Sequence, residues 1–132
     1  MSGPQRAATR PLSPHLQIWR YHVTMLASIT HRITGAALYF GTFLIAAWLV
    51  ALAMSAETFA MMQGIITSLP GKVILYLWAT AILYHLFNGI RHMMWDGPGI
   101  GFSPKVASNV SVVIYTLAIV GAAALMFVAG AF

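Results

Sequence analysis

Residues 33–56, ITGAALYFGTFLIAAWLVALAMSA, are 24 consecutive residues without a charged side chain. Two further uncharged runs follow, residues 73–90 (18 residues) and residues 106–132 (27 residues). A bilayer hydrocarbon core is crossed by about 20 helical residues, and a helix satisfies every backbone polar group within lipid. None of the runs alternates as a barrel strand would. The sequence therefore predicts an all-α integral membrane protein with three transmembrane helices.

The composition excludes several classes of protein. Of the 132 residues, 60% are hydrophobic and 7% are charged, whereas soluble domains average about 25% charged residues. The absence of cysteine excludes disulfides, thiolate-bound iron–sulfur clusters and covalent c-type haem within the chain. The net charge of +5 comes from single charges between apolar stretches, which indicates contact with anionic lipid and no nucleic-acid partner.

Proline, glycine and serine residues set the expected helix boundaries. We expect helices at about 23–55, 70–95 and 104–130 within a single membrane-anchor domain, residues 1–132. Residues 68–71 (SLPG) and 96–101 (DGPGIG) are breaks, and Ser103-Pro104 is an N-cap and first-turn pair. The polar arm, residues 1–22, lacks the apolar segment that a signal peptide requires.

Positive side chains predict the orientation. They concentrate before and within the start of the first span and around the loop after the second span. These residues are Arg6, Arg10, Arg20, Arg32, Arg91 and Lys105. The loop after the first span holds one positive residue, Lys72. By the positive-inside rule, the N-terminal arm is cytoplasmic and the C-terminus periplasmic in a bacterial inner membrane.

Polar residues recur along one face of the first span. They are Thr24, Ser28, His31, Gly35 and Thr42, and Arg32 lies one turn beyond Ser28. Ser28 and Arg32 could donate hydrogen bonds to one common acceptor. The alternative is a packing face of small residues beside an arginine that extends to the interface.

A second stripe occupies the second span. Its members are His85, Asn88, Gly89, His92 and Asp96. At 1.5 Å per residue, His85 lies about 16 Å from Asp96, near the middle of the membrane. An unpaired imidazole is costly there, and neutral imidazole is a good iron ligand. Gly89 leaves room for a flat macrocycle. Three interpretations stay open for His85: a haem ligand, an interhelical hydrogen bond, or a proton relay.

We expect a polar cluster at the cytoplasmic edge, formed by His31, Arg32, Arg91, His92 and Asp96. It could bind a carboxylate such as a haem propionate, bind a quinone head group, or pass protons. It could equally be an ordinary interfacial cluster. We expect His31 to be too shallow to face His85, so a second axial ligand would come from another subunit.

Three segments carry a resemblance to a known family: residues 10–20 (RPLSPHLQIWR), 28–35 (SITHRITG) and 85–96 (HLFNGIRHMMWD). The patterns S-x-x-H-R-x-[ST]-G and H-x3-G-I-R-H-x3-D are specific in this order. The sequence resembles the cytochrome b556 family, the C-type membrane anchor of succinate dehydrogenase in respiratory complex II. The likeness covers essentially the whole chain, although the arm and third span match only in character.

The resemblance implies a non-catalytic electron-transfer subunit. It implies that the chain forms half of a heterodimeric anchor bundle with a second small membrane-anchor subunit. Together the two would bind an iron–sulfur subunit and a flavoprotein subunit on the cytoplasmic side. Electrons from succinate would reach ubiquinone, the substrate, in a step shared by the tricarboxylic acid cycle and the respiratory chain. One haem b would lie between the two anchors.

The resemblance also assigns residues around the haem. His85 matches the axial ligand of the haem iron, the other axial ligand being a histidine of the partner anchor. His31 and Arg32 match positions near the haem propionates.

Further matches concern the quinone. Ser28, Ile29 and Arg32 match quinone-binding positions. Asp96 matches an acidic residue on a possible proton path, and His92 belongs to the same motif. Two other functions remain alternatives, namely the anchor of a fumarate reductase and a haem-free structural anchor. A transporter is disfavoured because no pair of broken spans is present.

Overall fold

The computed structural model describes Pro14 and residues 17–130. Most of the N-terminal arm, including Arg6 and Arg10, lies outside these residues. The described part contains four helices and no strand: α1 (Val23–Met54), α2 (Ala56–Thr67), α3 (Leu69–Asp96) and α4 (Pro104–Val128). Three of them, α1, α3 and α4, are long and apolar enough to cross a membrane. The predicted all-α fold with three membrane spans is confirmed.

The short helix α2 has no counterpart among the predicted elements, because the sequence favours a loop after the first span. Ser55 separates α1 from α2 in an extended conformation, and its Oγ accepts a hydrogen bond of 3.1 Å from the backbone N–H of Thr58. Glu57 lies in the first turn, where a negative charge is favourable. The indole N–H of Trp48 donates to the side-chain oxygen of Gln63 at 3.3 Å. The helix α2 therefore folds back on α1.

Serine residues cap the two later spans. The Oγ of Ser68 accepts from the N–H of Gly71 at 3.3 Å, and the Oγ of Ser103 accepts from the N–H of Val106 at 3.4 Å. Each span has a proline in its first turn, where the missing N–H is harmless. The last span ends at Val128, two residues before the expected end. Gly130 follows it with a φ of 65°, which is the usual glycine stop.

The interior of the bundle is built from small residues on α4. The buried positions of this helix are Ala107, Ser111, Ile114, Ala118, Ala122 and Met126. Their spacing of three or four residues puts them on one face, and α3 packs closely against that face. Such small-residue contacts are typical of helix packing in membranes.

Two tyrosines fasten α1 to the α3–α4 pair. The hydroxyl of Tyr84 donates to the carbonyl oxygen of Ala27 at 2.7 Å, and that of Tyr115 donates to Thr30 Oγ1 at 2.8 Å. The centroids of the two tyrosine rings are 4.7 Å apart. All three spans therefore meet at this pair of rings.

The outer surface is apolar along most of the spans. Large side chains such as Phe40, Phe43, Leu77 and Val120 are at least 60% exposed. Such a continuous apolar surface is unfavourable in contact with water. The protein is therefore an integral membrane protein, whose outer faces contact lipid or another membrane subunit.

Candidate functional site

Three histidine rings from α1 and α3 form a stack. His31 lies in the middle, with its centroid 4.1 Å from that of His85 and 5.0 Å from that of His92. The interplanar angles are 19° and 15°. Because His85 and His92 are seven residues apart, they lie on the same face of α3, and α1 inserts His31 between them.

The expectation that His31 lies too shallow to face His85 is wrong. His31 is eight residues from the start of α1, and His85 is eleven residues from the end of α3. The difference of three residues corresponds to about 4.5 Å along a helix axis. An offset of that size is bridged by the side chains themselves, so the two rings meet.

The hydrogen bonds of His85 fix its orientation. Its Nδ1 lies 3.2 Å from the carbonyl oxygen of His31 and 3.3 Å from Thr34 Oγ1. The Thr34 hydroxyl donates to the carbonyl oxygens of Thr30 and His31, so it accepts from His85. A carbonyl can only accept, which assigns the proton to Nδ1. The lone pair of Nε2 then remains available for a ligand from outside the chain.

Two glycines flank this imidazole in different ways. A Cβ at Gly35 would lie 2.9 Å from Cε1 of His85, so the backbone of α1 touches the ring edge. A Cβ at Gly89 would meet no atom within 4 Å. The first glycine permits the approach of α1, and the second borders open space beside the histidine stack.

His31 and His92 differ in their hydrogen bonds. Nδ1 of His92 donates to the carbonyl oxygen of Asn88 at 2.7 Å, which leaves its Nε2 as an acceptor. Nε2 of His31 is buried and has no hydrogen-bond partner in the described part of the chain. A buried polar atom without a partner is costly, so this position is suited to a polar group supplied by a cofactor or a partner.

Arg91 is buried, although the sequence places it in the edge cluster. Its side chain is 8% exposed and donates from Nη1 to Ser111 Oγ at 2.7 Å and to Asn88 Oδ1 at 3.3 Å. The guanidinium carbon lies 4.2 Å from the ring centroid of Trp95, in cation–π geometry. Ser111 shares a face of α4 with Tyr115, and this i, i+4 polar pair in the third span is the sequence pattern that indicates the contact.

A cavity of about 390 Å³ opens beside Arg91, between the start of α1, the end of α3 and the start of α4. Polar side chains that line it include His22, Thr24, Ser28, Asn88, Arg91, His92 and Ser108. No acidic residue lines it. The cavity is therefore rich in hydrogen-bond donors and carries positive charge.

The other predicted site residues lie apart from this cavity. Arg32 and Ile29 are exposed on α1, and Asp96 is exposed at the end of α3. The structure places the five residues of the expected edge cluster in three settings. His31 and His92 belong to the histidine stack, and Arg91 turns inward to α4. Arg32 and Asp96 remain at the surface.

The residues fit a haem held between two chains. No group of three or more His, Cys, Asp or Glu residues suited to a metal ion occurs in the described residues, but an axial haem ligand needs only one imidazole per chain. In His85, Nδ1–H donates to a backbone carbonyl, as is usual in a metal-binding histidine. A Cβ at Gly89 would meet no atom within 4 Å, so the described residues do not fill this face of α3.

Comparisons with known proteins show to which family the chain is similar. The model of the succinate dehydrogenase/fumarate reductase transmembrane subunit family matches residues 6–127. A succinate dehydrogenase cytochrome b556 subunit of Paracoccus denitrificans is 45% identical over 87 residues, which are 66% of this chain and 67% of that protein. The Rickettsia felis subunit of the same name is 37% identical over 99 residues, 75% and 76% of the two chains. The mitochondrial cytochrome b560 subunit of Sus scrofa is 37% identical over 124 residues, 89% and 72%.

Proposed function

Because the chain belongs to the family of succinate dehydrogenase/fumarate reductase transmembrane subunits, we propose that it is the haem b- and ubiquinone-binding membrane anchor of a succinate dehydrogenase. It passes electrons from an iron–sulfur subunit to ubiquinone and has no succinate-oxidising chemistry of its own. The three relatives all bear succinate dehydrogenase names, which favours this direction over fumarate reduction.

The observation that carries the haem assignment is the hydrogen bonding of His85. Its protonated Nδ1 is held by the carbonyl of His31 and by Thr34 Oγ1, and Nε2 has no hydrogen bond in the described residues. His85 is thereby oriented as one axial ligand, with the second supplied by a partner anchor. His31 and Arg32 would lie near the propionates. When bound, the haem supplies a one-electron carrier within the membrane.

Quinone binding is assigned to Ser28, Ile29 and Arg32. Ser28 lines the cavity between the start of α1, the end of α3 and the start of α4. Ile29 and Arg32 are exposed on α1 and do not line that cavity. A serine hydroxyl and a guanidinium aimed at a quinone carbonyl stabilise the negative charge that develops on its oxygen. The exposed position of Arg32 suits a site completed by a second subunit.

Quinone reduction also consumes protons. His92 lines the same cavity as Ser28, and its Nε2 is free to accept a proton because Nδ1 donates to Asn88. Asp96 lies four residues further along α3, at its exposed end. Both groups can transfer protons between water and the quinone, with Asp96 at the exposed end of α3 and His92 in the lining of the cavity.

The partners are a second small anchor subunit, an iron–sulfur subunit and a flavoprotein subunit. The exposed apolar faces of the spans provide contact surface for the second anchor and for lipid. The placement of Lys and Arg supports a cytoplasmic N-terminus and a periplasmic C-terminus in a bacterial inner membrane.

The test is a dithionite-reduced minus oxidised absorption spectrum of the complex purified through this chain, recorded for the wild type, His85→Ala and His22→Ala. His22 is an exposed histidine outside the stack and serves as the matched control. We expect a b-type α-band in the wild type and in His22→Ala, and none in His85→Ala. A wild type without the band would refute haem binding and leave a haem-free anchor.

A further inference from the structure

The guanidinium of Arg91 lies inside the bundle, and no negative charge among residues 17–130 pairs with it. It is 8% exposed, and its hydrogen bonds go to two neutral groups, the Asn88 amide and the Ser111 hydroxyl. Asn88 and Ser111 are each 1% exposed, so water does not screen the charge from that side. A cation removed from water is costly unless a counter-charge compensates it.

The residues that the structure describes provide no such counter-charge. The two acidic residues of the chain are Glu57 and Asp96. Glu57 lies on α2, which connects the end of α1 to the start of α3. This end of the bundle is the one away from Arg91. Asp96 is exposed and is neither a hydrogen-bond partner of Arg91 in the described residues nor a lining residue of the adjacent cavity. The negative charge must therefore come from outside the chain.

The cavity beside Arg91 has the chemistry of an anion site. The hydroxyl of Thr24 lines it from α1, and the amide of Asn88 lines it from α3. Nε of Arg91 and Nδ2 of Asn88 are buried donors with no partner in the described residues. A phosphate offers several oxygens to these donors, and its negative charge compensates that of Arg91.

The position of the cavity suits a headgroup. Arg91 is five residues from the end of α3, about 7.5 Å along the axis, so the cavity lies near one end of the spans. His22, Phe102 and Pro104 are exposed lining residues, so the cavity reaches the surface. Basic pockets between membrane helices at this depth bind anionic headgroups.

We propose that Arg91 anchors a phosphate group in this cavity through its forked guanidinium, the phosphate being either the headgroup of an anionic phospholipid or free inorganic phosphate. Arginine is suited to this role because its planar fork matches phosphate oxygens bidentately. The ring of Trp95, 4.2 Å from the guanidinium carbon, and the Ser111 hydroxyl hold the fork in place. Ser28 and His92 also line the cavity, but they belong to the proposed quinone site, so the phosphate is held by Arg91, Asn88 and Thr24.

The experiment uses the whole complex purified in neutral detergent, as wild type, Arg91→Gln, Arg91→Lys and Lys105→Gln. Lys105 is an exposed cation at the same end of the bundle and does not line the cavity, so its variant controls for net charge. Native mass spectrometry counts the phosphatidylglycerol retained after delipidation and add-back. Thermal unfolding then measures the stabilisation by phosphatidylglycerol micelles or by inorganic phosphate.

We expect wild type and Lys105→Gln to retain the ligand equally, and Arg91→Gln to hold it at least about tenfold more weakly. Stabilisation by inorganic phosphate equal to that by phosphatidylglycerol would identify free phosphate as the source, and a response to the lipid alone would identify the headgroup. A wild type that retains and responds to neither would overturn the proposal and point to a partner carboxylate. If Arg91→Gln does not assemble, retention of the ligand is measured in Arg91→Lys instead. This variant keeps the positive charge but lacks the planar, bidentate guanidinium. Unchanged retention in Arg91→Lys overturns the proposal.

Discussion

The ring of His31 lies against the ring of His85, with 4.1 Å between their centroids and 19° between their planes. The same residue provides the backbone carbonyl that accepts from His85 Nδ1 at 3.2 Å. One position on α1 therefore constrains both the tilt and the rotation of the proposed haem ligand.

His31→Phe and His31→Ala separate the ring contact from the ring nitrogens. Both variants keep the backbone carbonyl, but only phenylalanine keeps a flat ring against His85. We expect His31→Phe to retain most of the haem, and His31→Ala to lose haem readily and to shift the low-spin electron paramagnetic resonance signal, because the imidazole gains freedom to rotate. Equal loss in both variants would show instead that the nitrogens of His31 act on the haem directly.

Gly35→Ala tests the approach of α1 to the haem ligand. The new Cβ would stand 2.9 Å from Cε1 of His85, so the imidazole must move, at a cost of about 1–3 kcal/mol for overpacking. We expect the subunit to accumulate in the membrane with a lowered ratio of haem to protein, measured by pyridine haemochrome assay. The control is Gly64→Ala on α2, where a Cβ meets no atom within 4 Å. Full haem occupancy in Gly35→Ala would contradict the contact.

Ser28→Ala and Arg32→Ala test the quinone site. Loss of a neutral donor costs about 0.5–1.5 kcal/mol, and loss of a charged donor about 1.5–3 kcal/mol. We therefore expect succinate–ubiquinone reductase activity to fall about two- to tenfold in Ser28→Ala, and about tenfold or more in Arg32→Ala. Succinate oxidation by an artificial acceptor should be unchanged in both. A parallel fall of the two activities would place the defect in assembly and refute the quinone assignment.

Tyr84→Phe tests the fastening of α1 to the other spans. The Tyr84 hydroxyl is buried and donates at 2.7 Å, so its removal should lower stability by about 1 kcal/mol. The matched control is Tyr76→Phe, whose hydroxyl donates at 3.3 Å from an exposed position. We expect thermal unfolding of the complex to begin at a lower temperature in Tyr84→Phe than in Tyr76→Phe. Identical curves would show that this hydrogen bond contributes nothing to the bundle.

The sequence predicts the three spans because charge is excluded from lipid, and the uncharged runs end where the charged residues stand. It does not predict α2, because Ala56–Thr67 has the length of a loop or a short helix, and only its contact with α1 through Gln63 and Trp48 favours the helix. A helical segment of 12 residues is marginal by itself.

Within the site, residue types were more predictable than the faces on which they lie. His85 is recognisable as a candidate site residue because an unpaired imidazole in the middle of a membrane is costly and has few known roles. Arg91 is not, because an arginine five residues from a helix end can reach water as easily as it turns inward. The inward orientation of Arg91 is stabilised by its hydrogen bond to Ser111 on α4. The spacing of residues along α3 does not reveal this contact. The stack of His31 on His85 likewise depends on the relative heights of two antiparallel helices.

The hydrogen bond from Tyr115 to Thr30 joins residues 85 positions apart, and this separation has a consequence for biogenesis. A ribosome delivers α1 to the insertion machinery long before α4 has been synthesised. Thr30 then has no partner until α4 is made, whereas His31 and Thr34 can already meet His85 of α3. The packing of the first helix to enter the bilayer is thus completed only after the last helix has been made, and insertion and folding of this subunit are separate events in time.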